Sequence, residues 1–114
     1  MRKLKVLTIV GTRPEIIRLS RIILRLDESG SIEHKLLHTG QNYDHELNEI
    51  FFKDLGLRSP DFNLNTKKTS FADTLSEILK QTDNLLDKIL PEAIVILGDT
   101  NSALTSIVAK RKKI

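Results

Sequence analysis

The sequence has no cysteine and no tryptophan, and its aromatic residues are four phenylalanines and one tyrosine. Without thiols, disulfides and thiolate metal sites are excluded, and the lack fits a reducing compartment. The few aromatics are not interleaved with basic residues, so no platform for stacking bases is present. No apolar stretch approaches the roughly 20 residues of a membrane span, and the mean hydropathy of −0.19 argues against an integral membrane protein. The first ten residues have the outline of a signal peptide. However, Lys5 splits the apolar run, and Gly11-Thr12-Arg13-Pro14-Glu15 stands where a small-residue cleavage site would be needed. The expected compartment is therefore the cytoplasm. Phosphate fingerprints are missing too. No further glycines follow Gly11 in the dinucleotide pattern, and there is no Gly-Lys-Ser/Thr, so neither an NAD enzyme nor a P-loop ATPase is expected.

At 114 residues the chain can form one domain but not two. Its charged fraction of 29% and hydrophobic fraction of 39% are those of an ordinary globular protein. The net charge of +3 arises from 18 basic and 15 acidic residues mixed along the chain. Only Lys110-Arg111-Lys112-Lys113 forms a block, which reads as a solvated helix end; no nucleic-acid partner is expected. His38 and His45 lack metal-ligand spacing with other donors, so no metal site is expected.

Hydrophobic periodicity gives an alternation of strands and helices. Val6 to Val10 is a continuous β-branched and aliphatic run, as in strands buried on both faces. Thr12 and Glu15 have capping-box spacing with Pro14 in the first turn, and Ile16, Leu19, Ile23 and Leu26 then recur at helical spacing. Ile17 and Ile22 widen that stripe, while Arg18, Arg21 and Arg25 line another face. His34 to His38 predicts a second strand, and 43–55 a helix facing inward through Leu47, Ile50, Phe51 and Leu55, with Gly56 as its cap. A short strand is expected around Phe62. A third helix starts at Thr69 or Ser70 and ends at Pro91. Ala93 to Leu97 predicts another buried strand, and 101–112 a last helix with Leu104, Ile107 and Val108 inward. This alternation predicts a parallel α/β sheet of the Rossmann type. The chain reads as cut short after Ile114, where another strand would be expected.

In open parallel sheets, ligands bind beyond the carboxyl ends of the strands. Three segments fall there: Gly11 to Glu15, His38 to Asp44, and Gly98 to Ser102. Each follows a strand, opens a helix and combines glycine with polar side chains. Arg13, at a helix start, is placed to meet a diphosphate, where its charge and the helix N–H groups act together.

The segment Val10-Gly11-Thr12-Arg13-Pro14-Glu15-Ile16-Ile17-Arg18-Leu19-Ser20 resembles the opening of the non-hydrolysing UDP-N-acetylglucosamine 2-epimerases. Gly98-Asp99-Thr100 is similar to the family's motif after a later strand. His38-Thr39-Gly40-Gln41-Asn42-Tyr43-Asp44 looks like the branch acting on L-fucosamine and diacetamido-uronic acid sugars. The resemblance covers the whole chain. It implies the N-terminal part of a two-domain glycosyltransferase-B-type fold, with the C-terminal UDP-binding domain absent. It also implies inversion at C2 of a UDP-2-acetamido sugar, without a cofactor, through loss and re-addition of UDP.

On the matching positions, Arg13 is implied near the UDP group, and Gln41 and Asn42 beside the sugar. Asp99 and Arg18 are implied as catalytic positions. Arg18 departs from the family's lysine: guanidinium stays charged, so it suits phosphate contact better than proton transfer. The simpler readings are a solvated arginine stripe for Arg18, a helix cap for Asp99, and the capping-box partner for Glu15. Three roles follow: a fragment of an epimerase, inactive alone; a binding or interaction module; or one half of a split enzyme. An uncovered sheet edge near Ile94, Ile96 or Ile107 would favour a homodimer or other self-association.

Overall fold

In the computed structural model, residues 2–40, 45–98 and 100–114 are described, residues 45–47 by their backbone alone. Four strands, β1 (Leu4–Val10), β2 (Ile32–His38), β3 (Phe62–Asn63) and β4 (Ala93–Val95), form one sheet in the order β3-β2-β1-β4. Every pairing is parallel, with Val10 opposite His38, Leu37 opposite Phe62, and Val6 opposite Ala93. The helices are α1 (Arg13–Glu28), α2 (His45–Asp54), α3 (Phe71–Ile89) and α4 (Thr105–Arg111), the last preceded by a 3-10 turn, Asn101–Leu104.

The strand order carries the main functional information. The chain steps from β1 to β2 to β3 in one direction, then returns past its start to place β4 on the other side of β1. The reversal between β1 and β4 opens a crevice above their carboxyl ends, the usual place for a ligand in such sheets.

Two cores explain the unbroken apolar run of β1. On one face Val10 and Leu36 pack with Ile16, Leu19 and Ile23 of α1 and with Phe52 and Leu57. On the other, Leu7, Ile9 and Leu37 pack with Leu86 of α3 and Ala109 of α4. Alternate side chains of one strand thus enter opposite cores, so neither face tolerates a polar run. The exception is Thr8, whose hydroxyl meets His34 Nε2 at 2.7 Å. His34 Nδ1 lies 2.6 Å from Asp27, which also takes the Arg58 guanidinium. Arg58 continues to Asp61, whose carboxylate accepts the Leu36 amide, so the α1 end, β2 and the approach to β3 share one polar knot.

The helix ends follow their local chemistry. Ser70 rather than Thr69 caps α3, its hydroxyl accepting the Asp73 amide. Leu90 closes that helix in the left-handed region at φ 54°, and Pro91 prevents its continuation. Gly56 follows α2 at φ +74°.

Three helical faces differ from the apolar spacing. In α2 the fully inward aromatic is Phe52, while Ile50 is 57% exposed. Ile17 and Ile22 of α1 also lie outside the core. In the last segment Leu104 and Ile107 are exposed, and the buried positions are Ser102, Thr105 and Ala109. Hydroxyl contacts of Ser102 and Thr105 set that rotation.

Candidate functional site

At the tip of β1 the chain turns through Gly11 and Thr12 into α1. Thr12, the N-cap, has extended backbone, and Glu15 returns as the capping-box carboxylate. Its Oε2 accepts the amides of Gly11 at 2.6 Å and Thr12 at 2.7 Å, and the Thr12 hydroxyl at 3.2 Å. A capping box requires only the Thr12 amide. Yet Glu15 is fully buried and also accepts the Thr100 hydroxyl, from a residue 85 positions later, and Ser102 Oγ at 3.5 Å. Ser102 in turn lies 3.3 Å from Thr39 Oγ1 beyond β2. The turns after β1, β2 and β4 are therefore joined through buried hydroxyls around one carboxylate. Thr105 continues the chain of contacts by donating to the Ser102 carbonyl. These bonds, rather than Leu104 or Ile107, decide which side of the last helix faces inward.

Two clefts open on either side of Thr12. One, of about 410 Å³, is bounded by Thr12, Thr100 and Asn101 and, across from them, by Lys68 to Phe71 and Thr74. It lies over the crevice between β1 and β4 and is floored mainly by hydroxyls, with Lys68 as its cation. The other, of about 320 Å³, is lined by Gly11 to Pro14, His38 and Asn48. Arg13 reaches across this side, its Cζ 5.6 Å above the Phe51 ring centroid.

His38 is buried and its Nδ1 accepts the Gly40 amide at 3.0 Å. Burial pushes its pKa down to about 4, so the ring is neutral near pH 7. Phe52 meets it edge-on at 6.2 Å. Gly40 is held at φ +77°, where an added Cβ would lie 1.9 Å from the Leu64 carbonyl oxygen, so glycine is obligatory there.

Of the residues singled out by sequence, Arg13 sits at the β1 tip as expected. Arg18 is exposed, and five residues further along the helix it points roughly 140° around the axis from Arg13. The structure does not bring these two arginines to one face. Gln41, Asn42 and Asp99 lie outside the described residues. The wall from Lys68 to Phe71 was not anticipated. Its signal was available: a Lys-Lys-Thr-Ser run between β3 and α3 belongs to the same sheet edge. Among the described residues no cluster of three or more His, Cys, Asp or Glu could hold a metal ion, and no helix is long and apolar enough to cross a membrane.

Comparison with known proteins gives this edge a context. The family profile described as UDP-N-acetylglucosamine 2-epimerase matches residues 24–114. The UDP-N-acetylglucosamine 2-epimerase of Methanocaldococcus jannaschii is 38% identical over 112 residues, covering 97% of this chain and 30% of the relative. A UDP-2,3-diacetamido-2,3-dideoxy-D-glucuronate 2-epimerase of Pseudomonas aeruginosa is 32% identical, covering 96% of this chain and 31% of the relative. The crystal structure of the M. jannaschii enzyme in complex with UDP-GlcNAc and UDP superposes with a TM-score of 0.89 over 97% of this chain and 31% of that one. That of the Rickettsia bellii epimerase, 46% identical, gives 0.87 over 99% of this chain and 30% of that one. The chain thus spans about 30% of the length of the relatives it matches. By profile, sequence and fold, it belongs to the UDP-N-acetylglucosamine 2-epimerase family.

Proposed function

We propose that this chain forms the N-terminal wall of a site that inverts C2 of a UDP-2-acetamido sugar. The observation that carries the reading is the junction at Glu15 of the Gly11–Thr12 turn with the hydroxyls of Thr100 and Ser102, set over a polar cleft at the switch point of the sheet. In this reaction a base takes the C2 proton while the C1–O bond to UDP breaks, leaving a 2-acetamidoglycal and UDP. The UDP oxygen then re-adds at C1 as a proton arrives at C2 from the opposite face. Leaving-group departure needs fixed positive charge, and Arg13 supplies it at a helix N-terminus. Asp99 is assigned to the proton-transfer side, Gln41 and Asn42 to the sugar, and Arg18 to electrostatic support from the outer helix face.

One wall does not make a complete cleft. In this reading a second, UDP-binding lobe completes the site, and the chain alone is inactive. The decisive experiment is a hybrid in which residues 1–114 replace the corresponding segment of the M. jannaschii enzyme. The hybrid should convert UDP-N-acetylglucosamine to its manno epimer, with solvent deuterium entering C2. A folded hybrid without C2 exchange would reject the assignment. A non-catalytic module, or one half of a split enzyme, would retain the fold; the split enzyme alone would regain exchange on mixing with a separate C-terminal lobe. Self-association through the open β4 edge is part of the same proposal, since that strand pairs on one side only among the described residues.

A further inference from the structure

We propose that Glu15 is a positioning residue, holding the Arg13 turn and the Thr100 turn in the mutual placement that a UDP-sugar requires. This rests on the epimerase reading above. A local capping role accounts for the Thr12 amide alone. It does not account for complete burial, for the Gly11 amide, or for two hydroxyls arriving from the far side of the switch point. A carboxylate only accepts hydrogen bonds, and all of these contacts donate to it. Its two oxygens divide the work: Oε2 takes the β1 turn and Ser102, while Oε1 takes Thr100. Moving either turn therefore disturbs the partner held by the same group.

The geometry also explains why the link crosses the sheet here. Among the described residues the β4 ladder pairs with β1 at three positions, Val6–Ala93, Leu7–Ile94 and Thr8–Val95. The ladder ends at Val95, and Ile96, Leu97 and Gly98 run on toward the site outside it. Beyond Val95 the parallel ladder no longer ties this segment to β1. The Thr100–Glu15 contact supplies the missing tie.

Two measurements test this. In the 114-residue chain, Thr100→Val should shift the backbone amide resonances of Gly11 and Thr12, and Glu15→Gln should shift those of Gly98 and of residues 100–102. Thr100→Ser, which keeps the hydroxyl, should leave Gly11 and Thr12 near their original positions. In the hybrid, Thr100→Val should lower kcat by about ten- to a hundredfold, as expected for small misplacements of reacting groups. KM should stay within about twofold and the melting temperature within a few degrees, and Thr100→Ser should recover most of kcat. Absence of cross-turn shifts overturns the proposal, as does a Thr100→Val hybrid with undiminished kcat. If the unmodified hybrid is folded but inactive, the epimerase reading falls, and the amide shifts alone decide whether Glu15 ties the two turns.

Discussion

Arg13 holds its guanidinium over the ring of Phe51, so the candidate phosphate-binding cation of the β1 turn rests on a side chain of α2. An exposed cation–π contact contributes about 0.5–1 kcal/mol. Its use here is orientation, since a long arginine side chain otherwise loses rotamer freedom on binding a ligand. Phe51→Leu keeps the apolar contact with the core but removes the ring. In the hybrid enzyme it should raise KM for the UDP-sugar about two- to fivefold while changing stability by less than about 1 kcal/mol. An unchanged KM would show that Arg13 needs no such support.

Two glycines at the same sheet edge should respond in opposite ways. Gly40 combines a positive φ with a Cβ position 1.9 Å from a backbone oxygen. Gly40→Ala should therefore cost about 3 kcal/mol, from left-handed strain and forced movement of the Leu64 peptide together. At Gly98 a Cβ meets nothing within 4 Å. The fold itself does not demand glycine there, so Gly98→Ala should change the urea midpoint little. If the open space above Gly98 belongs to the substrate, the same variant should sharply weaken sugar turnover. Equal stability losses at the two glycines would contradict this distinction.

His38 makes stability depend on pH. Its folded pKa, about 4, lies below the ordinary value of 6.5 because burial disfavours the charged ring. The unfolded chain therefore binds more protons between those values. The contribution is fully present above about pH 6.5 and is lost as pH falls toward 4, about 3 kcal/mol in all. Urea unfolding at pH 7.5 and 4.5 should show the decline. Ring-proton shifts should report His38 still neutral at pH 5.5; titration near 6.5 would refute the burial argument.

Much of this architecture was readable because it is local. The β1 run, the α1 cap, the Ser70 cap, Pro91 and the short strand at Phe62 each depend on neighbours a few residues away. What was not readable depends on long-range hydrogen bonds. Glu15 looked like a capping residue because its first partner is Thr12; nothing local indicates Thr100 or Ser102. The same contacts rotate the last helix so that Ser102 and Thr105 face inward and Ile107 outward. Along α3 the buried stripe is Thr74, Ile78, Thr82 and Leu86, so threonine alternates with aliphatic residues there. The Thr74 hydroxyl accepts the Lys68 amide, whereas the buried hydroxyl of Thr82 has no hydrogen-bond partner among the described residues. Apolar counting misses such positions.

The open edge at β4 leads to the remaining prediction. Ile94 and Ile96 are half-buried against the α3–α4 core, and Ile107 of α4 is 57% exposed. On the opposite face Val95 and Leu97 pack only partly against the α1 core. An edge strand with unpaired backbone groups, flanked on both faces by incompletely covered aliphatic side chains, favours pairing with another strand. Sedimentation of the 114-residue chain should therefore show concentration-dependent association. Ile107→Lys should weaken it by putting a charge on the exposed aliphatic face of α4, without disturbing a core to which Ile107 contributes little. Glu substitution at exposed Ile50, on α2 across the sheet, should not. A monomer at all concentrations would mean that this edge is protected in solution. Equal effects of Ile107→Lys and Ile50→Glu would point to general apolar stickiness rather than association through β4.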